Sequence, residues 1–118
     1  MAAELTASDG AICDQLGRSV GLSGSTIVAG APGAFIASPD RPSGGNADQG
    51  AVYLFTQPAG GWANGTQSAK LTAADGLPSD DLGISVATSG TAAFAGAPGA
   101  TNGSDQGVAY AFTENGGA

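Results

Sequence analysis

The hexapeptide Ala-Gly-Ala-Pro-Gly-Ala occupies positions 29–34 and recurs unchanged at positions 95–100. The separation is 66 residues, and the same offset relates Leu-Thr-Ala-Ser-Asp-Gly at 5–10 to Leu-Thr-Ala-Ala-Asp-Gly at 71–76. Asp-Gln-Gly at 48–50 recurs at 105–107 with an offset of 57 residues, so the first copy carries nine additional residues before this point. Segments that recur in one order indicate a tandem repeat, in which each copy is one structural unit.

Short β-strands are predicted within both copies. Positions 19–23 and 26–31 fit a hairpin, and 51–56 is the strongest strand because aromatic and β-branched residues favour extended backbone. Positions 67–73 predict a fourth strand, and 4–7 is its equivalent one repeat earlier. With three strands from the second copy this gives eight strands and no helix. The nine additional residues, rich in Pro, Gly, Ser, Asn and Asp, predict a surface loop.

The composition is unusual for a self-sufficient domain. Gly and Ala together occupy 45 of 118 positions, whereas Leu, Ile, Val and Phe occupy only 20. Charged residues are also few, at 11%, so the chain lacks the charge density typical of disorder. A thin, turn-rich β architecture is indicated, with a core so small that we expect either an oligomer or a larger parent protein.

The charge balance restricts the classes of partner. Three basic residues stand against ten acidic ones, giving a net charge of −7. Nucleic acids and anionic membranes require clustered Lys or Arg, so neither is expected as a partner. The single cysteine, Cys13, has no intramolecular disulfide partner, and the sequence shows neither a membrane-spanning apolar run nor a signal peptide. The compartment stays open, and we expect a soluble chain whose parent protein is secreted or at the cell surface.

The repeated motifs resemble the FG-GAP repeat family, in its bacterial type without the calcium loop. The resemblance covers nearly all of the chain. Its structural motif falls on Leu16, Gly17, Gly30, Ala31 and Pro32 in the first copy and on Leu82, Gly83, Gly96, Ala97 and Pro98 in the second. The Phe-Gly position of the family reads Leu-Gly in both copies. Gly24 and Gly90 begin segments where integrin-type repeats carry an Asp-rich calcium loop, so calcium binding is not carried over.

The resemblance implies an all-β fold of β-propeller blades, with four antiparallel strands in each repeat and two blades in the chain. The single unit spans 1–118, with repeat one at 5–70 and repeat two at 71–118. Two blades do not close a ring, since propellers contain 4 to 8 blades. The chain is therefore expected to be a fragment of a larger propeller or to assemble with copies of itself. In the second case the segment at 1–8 completes a blade with the C-terminal strands of a neighbouring copy; three copies are preferred, and four are the alternative.

Catalytic chemistry is not expected. The chain has no His, which removes the commonest acid–base group and excludes Ser-His-Asp and Cys-His arrangements. Six residues are candidate loop ligands: Asp40, Asn46, Asp48, Trp62, Asn102 and Asp105. The oxygen-bearing ones suit a hard cation such as calcium, but their spacing matches no calcium-loop motif, and Asx residues more often stabilise turns. No cofactor or metal is predicted.

Two functions from different classes remain. The first is a non-catalytic propeller module for self-assembly and for protein recognition or adhesion. The second is a carbohydrate-binding oligomeric propeller, in which Trp62 stacks on a sugar ring. A lectin of that design repeats its aromatic platform in every blade, and Trp62 has no second copy in the chain. The first function is therefore preferred.

Overall fold

The computed structural model describes residues 3–10, 14–34, 36–37, 45–46, 49–73, 80–89, 92–98 and 107–113, and these residues form eleven strands and no helix. The strands are β1 (Leu5–Thr6), β2 (Ser19–Ser23), β3 (Thr26–Ala31), β4 (Ile36–Ala37), β5 (Gly45–Asn46), β6 (Ala51–Thr56), β7 (Gly65–Thr66), β8 (Ala69–Leu71), β9 (Ser85–Ser89), β10 (Ala92–Ala97) and β11 (Val108–Thr113). The all-β prediction is confirmed. Across this described part of the chain, no helix has the length and apolar character needed to span a membrane.

The first sheet is antiparallel and has the strand order β2-β3-β6-β8. β2 and β3 form the predicted hairpin, with Ser23 opposite Thr26 and Gly24 in the turn at a φ of 60°. β3 ends immediately before Pro32, which has no N–H to donate to a ladder. β8 is shorter than the predicted strand at 67–73, because only its central residues pair with β6.

The second sheet has the order β11-β10-β9, and its strands are the repeat equivalents of β6, β3 and β2. β10 ends before Pro98, as β3 ends before Pro32. Within the described residues the second sheet has three strands, so β11 is an edge strand where β6 of the first sheet is covered by β8. Antiparallel sheets of this kind are compatible with propeller blades.

Two short pairings lie outside these sheets. β1 pairs with β7 in parallel, with Leu5 opposite Gly65. β4 and β5 pair antiparallel, with Ile36 opposite Asn46. β4 and β5 lie in the segment that carries the first repeat's nine additional residues, so the predicted surface loop contains a short β pairing. The residues closing this hairpin, 38–44, lie outside the described part of the chain.

The two sheets pack face to face, and the core divides into two clusters. The inter-sheet core lies between the sheets and contains Val28, Val52, Leu71, Ala73, Leu82, Ala93, Ala95, Ala97 and Phe112. The outer core lies on the other face of the first sheet and contains Ala29, Ala31, Ala34, Ala51, Tyr53 and Phe55. The large share of Ala and Gly follows from this close packing of thin sheets, since small side chains let neighbouring backbones approach.

Candidate functional site

The Asp-x-Leu-Gly turn that precedes each sheet has the same conformation in both repeats. Gln15 and Asp81 have φ values of 65° and 61°, and Gly17 and Gly83 have φ values of 95° and 97°. Glycine suits its position because that φ is rarely adopted by a residue with a Cβ. The Gly17 amide donates to the Gly30 carbonyl, and the Gly83 amide donates to the Gly96 carbonyl, each at 3.0 Å. The two turns therefore have the same backbone conformation and the same hydrogen bond to the strand that follows.

The turn at 82–83 docks against the first sheet, and we call this contact the inter-sheet junction. The Ser19 hydroxyl donates to the Gly83 carbonyl at 2.8 Å, and the Leu82 amide donates to the Gln49 carbonyl at 2.9 Å. A Cβ atom on Gly30 would collide with the Gly83 carbonyl, and one on Gly50 would collide with the backbone of Leu82. Glycine is needed at both positions because backbone approaches backbone there.

Each sheet also has an outward face, turned away from the inter-sheet core. On the first sheet this face exposes Val20 and Leu22, at 64% and 67%. On the second sheet it exposes Phe94, at 43%. Large apolar side chains are therefore exposed on the outward faces of both sheets.

A polar group ties the N-terminal segment to the first sheet. The Tyr53 hydroxyl donates to Asp9 at 2.8 Å, and the Lys70 ammonium contacts the other Asp9 oxygen at 2.5 Å. Lys70 also lies 5.6 Å from the centroid of the Tyr53 ring. The hydrogen bond from Lys70 lowers the pKa of Asp9, while burial, with the acceptor Asp9 beside it, raises the pKa of Tyr53. This arrangement suits anchoring, since the charges already satisfy one another.

Among the described residues, a cleft opens beside the inter-sheet junction. It has a volume of about 190 Å³ and is lined by Gln15, Arg18, Pro32, Gly33, Asp81 and Ile84. Small-molecule sites have volumes of about 300–1,000 Å³, so this cleft is below the usual size. Its cation, Arg18, donates to the Gln15 side chain at 2.9 Å. Within the described residues there is also no group of three or more His, Cys, Asp or Glu side chains that could hold a metal ion.

The geometry of two equivalent, stacked repeats agrees with a comparison against known families. A family model described as the FG-GAP repeat matches residues 1–55 and again residues 66–112. The chain belongs to the FG-GAP repeat family. The predicted resemblance and the count of two repeats are thereby confirmed. A search of curated proteins gives no match to the chain.

Most of the loop candidates in these FG-GAP repeats lie outside the described residues: Asp40, Asp48, Asn102 and Asp105. Asn46 is part of β5. Their proposed role as ligand-loop residues stays a prediction. Trp62 is half-buried and packs against the outer core. A packing role of this kind is the alternative to the interpretation in which Trp62 stacks on a sugar ring.

The structural motif of the FG-GAP repeats, in contrast, lies at the junction. Leu82 and Gly83 form the docking turn, and Gly30 receives it. The sequence singled these residues out as a repeated motif but did not assign them to a contact between sheets. The group of Asp9, Tyr53 and Lys70 was not predicted, because Tyr53 and Lys70 are 44 and 61 residues from Asp9 in the chain.

Proposed function

We propose that this chain is a non-catalytic β-propeller module whose work is self-assembly and protein recognition. Membership of the FG-GAP family supports a propeller-type module, and in this family such modules often serve recognition or adhesion. The observation that carries the proposal is the exposure of Val20, Leu22 and Phe94 on the two outward faces. Further sheets, supplied by another copy of the chain, would cover the apolar side chains at both ends of this stack.

Closure of several copies into a ring would cover both outward faces of every chain. Propellers contain 4 to 8 blades, and the chain contributes two repeats. Three copies supply six blades, and four copies supply eight. A closed ring leaves no outward face exposed, whereas any open stack exposes one at each end. The trimer is the preferred assembly, and the tetramer is the alternative.

The carbohydrate-binding alternative receives no specific support from the described residues. Trp62 contacts the outer core and is half-buried, which fits a packing role. A glycan array on the assembled protein tests this alternative directly. Saturable binding to one sugar family that is abolished by Trp62→Ala would replace the proposed function with lectin activity.

The proposed self-assembly is tested by the mass of the folded chain in solution. Light scattering coupled to size exclusion, at micromolar protein concentrations, is expected to give a whole-number multiple of 11.2 kDa. Far-UV circular dichroism on the same fractions verifies the β structure. A folded species of 11.2 kDa throughout the concentration range would overturn the proposal.

A further inference from the structure

We propose that the outward face of the second sheet binds the outward face of the first sheet of another copy, in a head-to-tail joint that repeats the inter-sheet junction. This inference rests on the proposed self-assembly and specifies its contact. The occupant is a second copy of this chain because the chain carries both halves of the joint. The inter-sheet junction supplies the template for how the halves meet.

Repeat-equivalent positions are buried at the junction and exposed at the ends. Val28 lies in the inter-sheet core at 0% exposure, and its equivalent 66 residues later is Phe94, at 43%. Val86 packs against the inter-sheet core, and its equivalent 66 residues earlier is Val20, at 64%. The exposed residues at the two ends are thus the counterparts of residues that meet inside the chain.

The glycines that receive the docking turn show the same contrast. Gly30 is buried because the Gly83 carbonyl lies against it. Gly96 is its equivalent and is only half-buried, and among the described residues a Cβ there would meet the Ser85 hydroxyl alone, at 2.8 Å. No described backbone thus lies against Gly96 where the docking turn lies against Gly30. We expect the equivalent turn, at 16–17 of a second copy, to fill this place.

The docking turn has a matching, less covered counterpart at the other end of the chain. Leu82 and Gly83 are buried at the junction. Of their equivalents, Leu16 is half-buried and Gly17 is exposed. Since both turns have the same backbone conformation, the first is already shaped to dock.

The edge strand of the second sheet completes the match. Leu71 of β8 is buried in the inter-sheet core and pairs opposite Val52 of β6. Its equivalent, Leu5 of β1, packs against the outer core in the same way. By the repeat offsets, Leu5 of one copy falls opposite Ala109, which is exposed on β11 of the next. β1 thus lies ready to extend the second sheet of a neighbour, as β8 extends the first sheet.

The joint is heterologous, because two different faces meet. Such contacts close into rings when the rotation per copy divides a full turn. This property distinguishes the proposal from a dimer in which one face binds itself. It also permits a mixing experiment in which each variant retains one intact half.

The experiment uses two variants of the full chain, Val20→Asp and Phe94→Asp, and one control. Each substitution places a carboxylate on one outward face, where the side chain is solvent-exposed in the single chain, so folding is retained. Ala59→Asp adds the same charge at an exposed position in the turn after β6, which belongs to neither sheet. Mass is measured by light scattering, and folding is verified by circular dichroism and by the urea midpoint. Burying an uncompensated carboxylate in the joint is expected to raise the dissociation constant by at least about 100-fold.

The expected result is that each face variant is a monomer and that Ala59→Asp assembles as the unchanged chain does. The two face variants mixed together are expected to form a two-chain complex. In that complex Val20→Asp supplies its second sheet and Phe94→Asp supplies its first. If the unchanged chain assembles but either face variant keeps the same mass, the joint is wrong and the self-assembly stands. Monomeric variants that fail to combine would also overturn the head-to-tail joint. If the unchanged chain is itself a monomer, both the joint and the proposed self-assembly fall.

Discussion

Alanine at Gly30 and alanine at Gly96 are equivalent changes in the repeat, but the structure gives them different consequences. A Cβ on Gly30 would collide with the Gly83 carbonyl and would lie 2.8 Å from the Ser19 hydroxyl. A Cβ on Gly96 would meet the Ser85 hydroxyl at the same 2.8 Å and, among the described residues, no backbone atom within 4 Å. The pair therefore isolates the cost of the inter-sheet junction.

The magnitude follows from two local effects. Inserting a methyl group against rigid backbone costs about 1–3 kcal/mol, and loss of the hydrogen bond from Ser19 to Gly83 costs about 0.5–1.5 kcal/mol. Replacing glycine by alanine in a strand returns about 0.5–1 kcal/mol of backbone entropy, but this gain is common to both positions. Gly30→Ala is therefore expected to be less stable than Gly96→Ala by about 2–4 kcal/mol. Against a total stability of about 5–15 kcal/mol, this is a large loss.

Urea unfolding followed by circular dichroism measures the difference. The midpoint for Gly30→Ala is expected to fall by about 1–2 M relative to Gly96→Ala, at protein concentrations where both variants are monomeric. Gly60→Ala is the matched control, because a Cβ there has no neighbour within 4 Å among the described residues. If Gly30→Ala unfolds within about 0.5 kcal/mol of Gly60→Ala, the docking of the 82–83 turn against the first sheet is refuted.

Three further outcomes are expected. Tyr53→Phe removes the hydrogen bond to half-exposed Asp9 and should lower the free energy of unfolding by about 1 kcal/mol in urea titrations at neutral pH; an unchanged value would show that the bond contributes nothing. The pKa of Asp9 is lowered by Lys70, so its contribution to stability is full above the unfolded pKa of about 4 and is lost as the pH falls through the folded pKa. Asp9→Asn should therefore destabilise the chain at pH 7 and flatten the acid side of its stability profile, and parallel profiles for the two chains would contradict this. Copies with a net charge of −7 repel one another, so added salt should raise the assembled fraction in sedimentation velocity, and a fall with salt would show that attraction between charges holds the joint.

The strands could be predicted closely where local chemistry sets their limits. β2, β3 and β6 have the bounds expected from the sequence, because Gly24 and Pro32 end runs of strand-forming residues. β8 is shorter than predicted, since its length depends on which residues face β6 and not on its own composition. The β4–β5 pairing was missed because its two-residue strands carry no alternating pattern.

Contacts between distant segments were harder to predict than strands. The repeat offsets identified the glycines of the Gly-Ala-Pro motif, but only the structure shows that Gly30 is pressed by a carbonyl and that Gly96 is not. The Tyr53 bond to Asp9 depends on where β1 lies, and β1 is placed by a parallel pairing to β7 across 60 residues. No local signal in the sequence encodes such a pairing.

The repeat arithmetic also explains how a chain with so few large apolar residues can be stable. The described part of a single copy contains two repeats and one junction, and Val20, Leu22 and Phe94 are exposed on its two outward faces. Under the proposed joint, each added copy converts two exposed halves into one buried junction, yet an open stack always retains two ends. Closure alone gives every repeat a full junction and doubles the junctions per chain from one to two. Because the same turn docks at every junction, the rotation between the two sheets of one chain sets the number of blades in the ring.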